Sequence, residues 1–258
     1  MRKLVLVVAL LCLPFVLFAQ MTVVDDSFSR MGAWVPGYGD WSVERGRLVQ
    51  ESTAAGMARI DREVPQDGVY QIDFTIRYVD GGYRSMADYE SGRYHAGFGV
   101  HLGVTNPPLR GKSWGNDESY LLWLNLDTRP QTRRNAGAHY GFRAQVYESS
   151  DHVTMDLMRS GEMRRLFGDS QASIDLARAL EEVSGRQFAV ADLRPYLRRD
   201  IPVSIRVNTR TGEVGVKDPT APIRFYFNVD PDMLDGDYVS LRTNALAASF
   251  DNFTVTRR

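Results

Sequence analysis

Cysteine is nearly missing from this chain. The single Cys12 lies in an apolar N-terminal run, so residues 20–258 hold no thiol and no disulfide can brace them. Lysine is almost as scarce, since Lys3, Lys112 and Lys217 are the only ones among 31 basic residues and arginine supplies the rest. Genome base composition accounts for that bias more simply than guanidinium chemistry does. An excess of either charge is missing too. Lys+Arg 31 against Asp+Glu 32 leaves a net charge of -1, which offers no basic field for nucleic acid and no acidic tail for a basic partner. Beyond residue 19 no apolar run is long enough to cross a membrane as a helix.

What is present at the N-terminus speaks to location. Arg2-Lys3 is a short positive region, Leu4 to Phe18 is apolar, and Leu17-Phe18-Ala19 ends the run on a small residue. This reads as a secretory signal peptide, residues 1–19, cut after Ala19 before Gln20. Leu10-Leu11 rather than small residues precede Cys12, which argues against lipid attachment there. The expectation is a secreted or periplasmic protein with no membrane span in the mature chain.

From residue 20 onward the dominant period is two. Val69 to Tyr78 alternates most clearly, with Tyr70, Ile72, Phe74, Ile76 and Tyr78 inward and Gln71, Asp73, Thr75 and Arg77 outward. Ala96, Phe98, Val100, Leu102 and Val104 make a second inward row. Tyr140, Phe142, Ala144 and Val146 make a third, and Val153, Met155 and Leu157 a fourth. Further short strands read at 41–49, 58–64, 201–207, 213–216, 223–229, 238–242 and 250–256, with Gly- and Pro-rich turns between them. Residues 80–94 read as a polar loop. Residues 160–200 break the pattern, and Ser173 to Val183 carries Leu176, Leu180 and Val183 at helical spacing before Gly185. Alternation rather than continuous apolar runs indicates antiparallel pairing. The fold class is therefore all-β: an antiparallel two-sheet β-sandwich (jelly roll) with one short helical insertion at about 160–200. No linker or repeat divides residues 20–258, which read as a single domain.

The stretch Ser119 to Asp127 carries the strongest functional signal. Tyr120, Leu122, Leu124 and Leu126 suit a core, and Ser119, Leu121, Trp123, Asn125 and Asp127 fall on the opposite face. With the outward rows of the other strands, the candidate ligand-binding set is Arg77, His95, His101, Trp123, Asn125, Asp127, Arg143, Gln145 and Tyr147, with Asp156 beside them. Aromatic faces stack on sugar rings, while amides, carboxylates and guanidinium groups make directional bonds to hydroxyls. An open sheet shows polar residues to water anyway, which explains Thr, Gln and Asp better than it explains an outward Trp and two His. Gly97, Gly99 and Gly103 on one face leave room for something to lie against the backbone. His95 and His101 point the same way but sit roughly 20 Å apart by strand rise, too far to share a metal alone.

Four short motifs give the order a family likeness. Asp25-Asp26-Ser27-Phe28, Trp41 to Leu48, Tyr238 to Thr243 and Ser249 to Phe253 together resemble the concanavalin A-like lectin/glucanase superfamily, which includes laminin-G-like domains and family 16 glycoside hydrolases. The resemblance implies two curved antiparallel sheets whose first and last strands pair. It also implies a structural Ca²⁺ held by Asp26 and Asp251, oxygen ligands of the kind that ion takes; both residues equally suit turn capping. The hydrolases' Glu-x-Asp-x-x-Glu strand has no counterpart in this chain, so their catalytic machinery is not expected.

These readings converge on a non-catalytic, lectin-like domain whose partner is a carbohydrate or a glycosylated envelope component. One alternative is a structural protein of the envelope that holds another envelope protein through its loops. A second is a jelly-roll polysaccharide lyase or hydrolase, in which Arg143, Gln145, Tyr147 and the histidines would act on a uronate.

Overall fold

The computed structural model describes residues 20–136, 140–158, 162–167, 170–175, 199–217 and 223–258. In chain order the first strands are β1 (Met21–Asp26), β2 (Val35–Tyr38), β3 (Trp41–Glu44), β4 (Arg47–Gln50), β5 (Ala58–Glu63) and β6 (Val69–Gly81). Helix α1 (Met86–Glu90) separates these from β7 (His95–Val104) and β8 (Ser119–Asp127), and α2 (Pro130–Asn135) precedes β9 (Gly141–Ser149). Then come β10 (Met155–Leu157), β11 (Glu162–Phe167), β12 (Ser170–Asp175), β13 (Asp200–Asn208), β14 (Glu213–Lys217) and β15 (Ile223–Asn228). A 3-10 turn at Pro231–Leu234 leads to β16 (Tyr238–Asn244) and β17 (Leu246–Arg257).

These strands form two antiparallel sheets, so the all-β sandwich expected from the alternation is what the chain adopts. One sheet has ten strands in the order β12-β11-β15-β14-β13-β6-β17-β4-β3, with β1 also paired to β17. The other has seven, ordered β10-β9-β8-β7-β16-β5-β2. First and last strands pair, Met21 opposite Arg257 and Asp26 opposite Phe253.

The core lies between the sheets. On β6 every second residue from Tyr70 to Tyr78 is buried, and the residues between them are not. Those side chains meet Ile60, Val100, Leu102, Tyr120, Leu126 and Leu241 from the seven-stranded sheet. An aromatic chain ties the termini into this core. Phe28 packs on Trp34, Trp34 stands edge-on to Phe253 with centroids 4.9 Å apart, and Phe74 packs on both Phe253 and Phe250. Such pairs add about 0.5–1.5 kcal/mol each beyond their burial. They do in this disulfide-free chain what a covalent brace does elsewhere.

Three local expectations change. Ser173–Asp175, the start of the expected helix, belongs to β12, which pairs with β11; the rest of that helix lies outside the described residues. Ser-Ile-Asp suits a cap and an edge strand equally, and the neighbouring strand decides. In β10 the faces are exchanged. Met155 stands opposite Ser149 and Leu157 opposite Tyr147, on the face away from the core, while Asp156 pairs with Glu148. Three residues at a sheet edge give too little alternation to set the register. Finally, residues 80–94 are not all loop: Ser85 caps α1 through a hydrogen bond from Asp88 N.

Candidate functional site

Gly97 and Gly99 shape the outer face of the seven-stranded sheet. A Cβ at Gly97 would meet Trp123 Cζ2 at 2.2 Å, and one at Gly99 would meet Leu122 O at 2.2 Å and Trp123 Cε3 at 2.9 Å. The room that the glycines leave is therefore filled by the chain's own indole. Trp123 lies across β7 and is only 7% exposed. With Met57 and Leu121 it forms a small apolar cluster on the outer face, packed by Tyr147 and Met155 and separate from the main core.

Over this floor opens a cleft of about 410 Å³, within the roughly 300–1,000 Å³ common for small-ligand sites. Trp114 stands at its rim, 53% exposed, with Lys112 Nζ 5.3 Å from the ring. Polar groups enter from several strands: His95 from β7, Asn125 and Asp127 from β8, Tyr147 from β9 and Asn244 from β16. Strand register explains the grouping, because His95 is directly opposite Asp127, Gly97 opposite Asn125, and Leu121 opposite Tyr147.

The acidic end of the cleft is already hydrogen-bonded. Asp127 accepts from Arg129 Nε at 3.0 Å and NH2 at 2.5 Å, from Arg129 N at 3.1 Å and from Thr132 Oγ1 at 2.9 Å. Burial by itself would raise this carboxyl, but the hydrogen bonds and charge of Arg129 outweigh it and hold it below the usual carboxylate range. Asp127 thus anchors the first turn of α2. His95 Nε2 stands 3.9 Å from Asp127 Oδ2. Burial first, and Arg129 next, lower the imidazole despite Asp127, so it is neutral near pH 7. Tyr147 donates its hydroxyl to Gln145 Oε1 at 3.0 Å, and burial pushes the phenol up to about 12.

A second group, which alternation does not reveal, holds the rim. Arg59, Asp61, Ser240, Arg242 and His101 are buried on the outer side of β5, β16 and β7, beneath the loop 105–118. Arg242 donates to Trp114 O at 2.7 Å and to Ser113 O at 2.5 Å. Arg59 donates to Ser113 Oγ at 2.7 Å and also to Pro108 O. Asp61 takes Arg59 Nε at 2.9 Å and Ser240 Oγ at 2.6 Å, and Asn116 donates to that same Ser240 at 2.7 Å. Of the two guanidinium groups only Arg59 bonds to the carboxylate, while Arg242 spends its donors on carbonyls and on His101. Burial, then the Arg59 charge, pulls Arg242 down to about 9, while Asp61 is raised by burial despite Arg59. The signal in the sequence is the charge itself: Arg242 stands inside a strand between Leu241 and Thr243, with Ser240 and Asn244 on its own face.

His101 belongs to this clamp and not to the cleft. It is fully buried; its Nε2 faces Arg242 NH1 at 3.0 Å and its Nδ1 faces Ser119 Oγ at 2.9 Å. A guanidinium only donates, so Nε2 accepts and Nδ1 carries the proton. Burial and then Arg242 and Arg59 keep the ring uncharged.

Of the expected ligand set, His95, Trp123, Asn125, Asp127 and Tyr147 line one cleft. Gln145 stands opposite Trp123 but is buried beneath Tyr147's hydroxyl. Arg143 stands opposite Asn125 in the backbone register; its side chain lies outside the described residues. Arg77 is far removed. It sits on β6 in the other sheet, with the core between, and pairs with Asp200 at 2.7 Å and 3.0 Å. Alternation told which way each residue points relative to its own strand, and not which sheet the strand joins.

Asp26 and Asp251 do not fit a calcium ion. Asp26 accepts from Phe28 N at 2.9 Å and Trp34 Nε1 at 3.0 Å, and pairs with Arg62. Asp251 pairs with Arg47 NH1 at 3.1 Å and takes Asn252 N at 2.8 Å. A guanidinium beside each carboxylate opposes a second cation, and among the described residues no three His, Cys, Asp or Glu side chains converge.

No protein-family model and no curated protein sequence matches the chain. Solved structures resemble it in shape. Carbohydrate-binding module CBM66 from Bacillus subtilis is 8% identical with a TM-score of 0.47, over 87% of this chain and 96% of that one. A Bacillus subtilis protein of unknown function with a galectin-like fold is 11% identical at a TM-score of 0.47, over 92% and 97%. A legume lectin-like domain from Entamoeba histolytica is 8% identical at 0.46, over 88% and 90%. Likeness at this level transfers neither ligand nor chemistry.

Proposed function

We propose that the protein binds carbohydrate, without catalysis, in the cleft on the outer face of its seven-stranded sheet. The observation that supports this most is the cleft's make-up. An apolar floor of Trp123, Leu121 and Met57 lies beside the half-exposed Trp114, with the amides Asn125 and Asn244 and the imidazole of His95 around them. Sugar rings offer an apolar face and a ring of hydroxyls, and this arrangement complements both.

The same cleft argues against hydrolysis. Asp127 is the single carboxylate among its described lining residues, and glycoside hydrolysis ordinarily needs a pair of them. Proton abstraction by Tyr147 is disfavoured as well, because its hydroxyl donates to Gln145 and burial holds the proton on. The N-terminal run Arg2 to Ala19 supports export, so the proposed setting is the periplasm or the cell exterior, with a glycan or glycosylated envelope component as partner.

A glycan panel read by affinity electrophoresis or calorimetry tests the reading. Trp114→Ala is the informative variant, because Trp114 is exposed and its loss spares the core. Binding is expected to weaken about tenfold, the effect of ~1.4 kcal/mol, with melting temperature unchanged. Unaltered affinity would move the site elsewhere, and unsaturated product absorbing in the ultraviolet would replace binding with lyase chemistry.

A further inference from the structure

A second cavity, of about 680 Å³, adjoins the aromatic cleft and shares His95 and Arg129 with it. Its walls carry Arg84 just before α1, Arg93 just after it, and Arg129 and Arg134 from the two ends of α2. Asp88 is the single carboxylate among its described lining residues. The chain as a whole has 31 basic and 32 acidic residues, so composition alone does not gather four arginines here. Arg129 is engaged by Asp127. Among the described residues, no carboxylate pairs with Arg84, Arg93 or Arg134.

Solvated arginines scattered over a surface are ordinary. These three differ because the fold places them in one cavity, with no carboxylate paired to them among the described residues, next to a cleft suited to a sugar ring. Like charges held together repel, and an anion between them removes that repulsion. Guanidinium forks meet carboxylate and sulfate oxygens with paired hydrogen bonds that neutral hydroxyls match poorly. The positive field already acts on a neighbour, since Arg129 and Arg84 both help burial to lower His95.

We propose that the two cavities form one groove for an acidic polysaccharide: a sugar ring sits against Trp114 and Trp123, and Arg84, Arg93 and Arg134 bind carboxylate or sulfate groups carried by the adjoining sugars. This rests on the glycan-binding reading above and names the class of glycan.

The test measures binding of the purified protein by calorimetry at low and high salt. The probes are oligogalacturonate, its carboxyl-reduced neutral form and a carrageenan oligosaccharide, which carries sulfate and no carboxylate, and the proteins are wild type, Arg84→Gln/Arg134→Gln and, as a remote control, Arg210→Gln. The expected result is tighter binding of at least one acidic probe than of the neutral form. That preference should fade as salt screens it, and the double variant should lose about fivefold in affinity for that probe only. Whether the carboxylate or the sulfate probe wins identifies the anion. Acidic probes bound no better than the neutral form would overturn this inference and leave the glycan reading standing. An acidic preference equally weakened by Arg210→Gln, or unaffected by the double variant, would overturn the assigned arginines. Absence of binding to these probes and to the wider glycan panel would overturn both.

Discussion

Gly97 and Trp123 are the residue pair on which the candidate site depends. A methyl group at Gly97 would stand 2.2 Å from the indole, closer than any packed pair tolerates, so the ring must lift from the strand. Gly97→Ala is expected to cost about 1–3 kcal/mol through overpacking and to abolish glycan binding, with a changed near-ultraviolet tryptophan signal as the readout. A normal signal with normal binding would show that the indole's position is unimportant. His101 gives a second expectation at this scale. Its folded-state proton affinity is held well below the usual value by burial and by Arg242 and Arg59, so below about pH 6.5 the unfolded chain binds a proton that the folded chain refuses. Stability should therefore be full above that pH and decline as pH falls, by up to ~1.4 kcal/mol per unit. Urea midpoints of wild type and His101→Gln between pH 7.5 and 5 isolate this slope from that of nearby Asp61. Parallel curves would remove His101 as the cause.

At the scale of elements, the loop 105–118 is attached by polar groups where one expects apolar packing. Leu109 at its tip is 92% exposed, while Arg242 and Arg59 reach out of the sheet to hold the carbonyls of Ser113, Trp114 and Pro108. Removing one guanidinium leaves buried carbonyls unsatisfied at about 1–3 kcal/mol each. Arg242→Met is expected to release the loop while the strands persist: tryptic cleavage after Arg110 should speed up, circular dichroism should stay β-like, and glycan affinity should fall with the displaced Trp114. Unchanged cleavage would mean that other contacts fix the rim. Helix α2 has the same kind of attachment, because Asp127 at the end of β8 holds Arg129 and Thr132. A strand residue that reads as a ligand group also anchors the next element.

The whole molecule is held by its core and by aromatic contacts between its ends. β1 pairs with β17 in one sheet, and Phe28, Trp34 and Phe253 pack together where they meet. Asp26 ties into that junction through Trp34 Nε1 and Arg62, a role that needs no metal. Melting is accordingly expected to be insensitive to chelator and to added Ca²⁺. A rise of several degrees with Ca²⁺ would restore the calcium expectation and require Asp26 or Asp251 to exchange its arginine for the ion.

Alternation in the sequence by itself determined the all-β class, the antiparallel pairing and which residues of β6, β7 and β8 turn inward, because side chains on a strand alternate whatever the partner. It also put His95, Trp123, Asn125, Asp127 and Tyr147 on outward rows. What only the tertiary structure decided was which rows adjoin. Arg77 pointed outward on the wrong sheet, and His101 pointed outward under a loop. Trp123 closed the space that two glycines had opened, and three arginines from either side of α1 and the end of α2 came to line a single cavity. Strand order and loop covering arise from contacts between residues far apart in the chain. A local period of two carries no information about them.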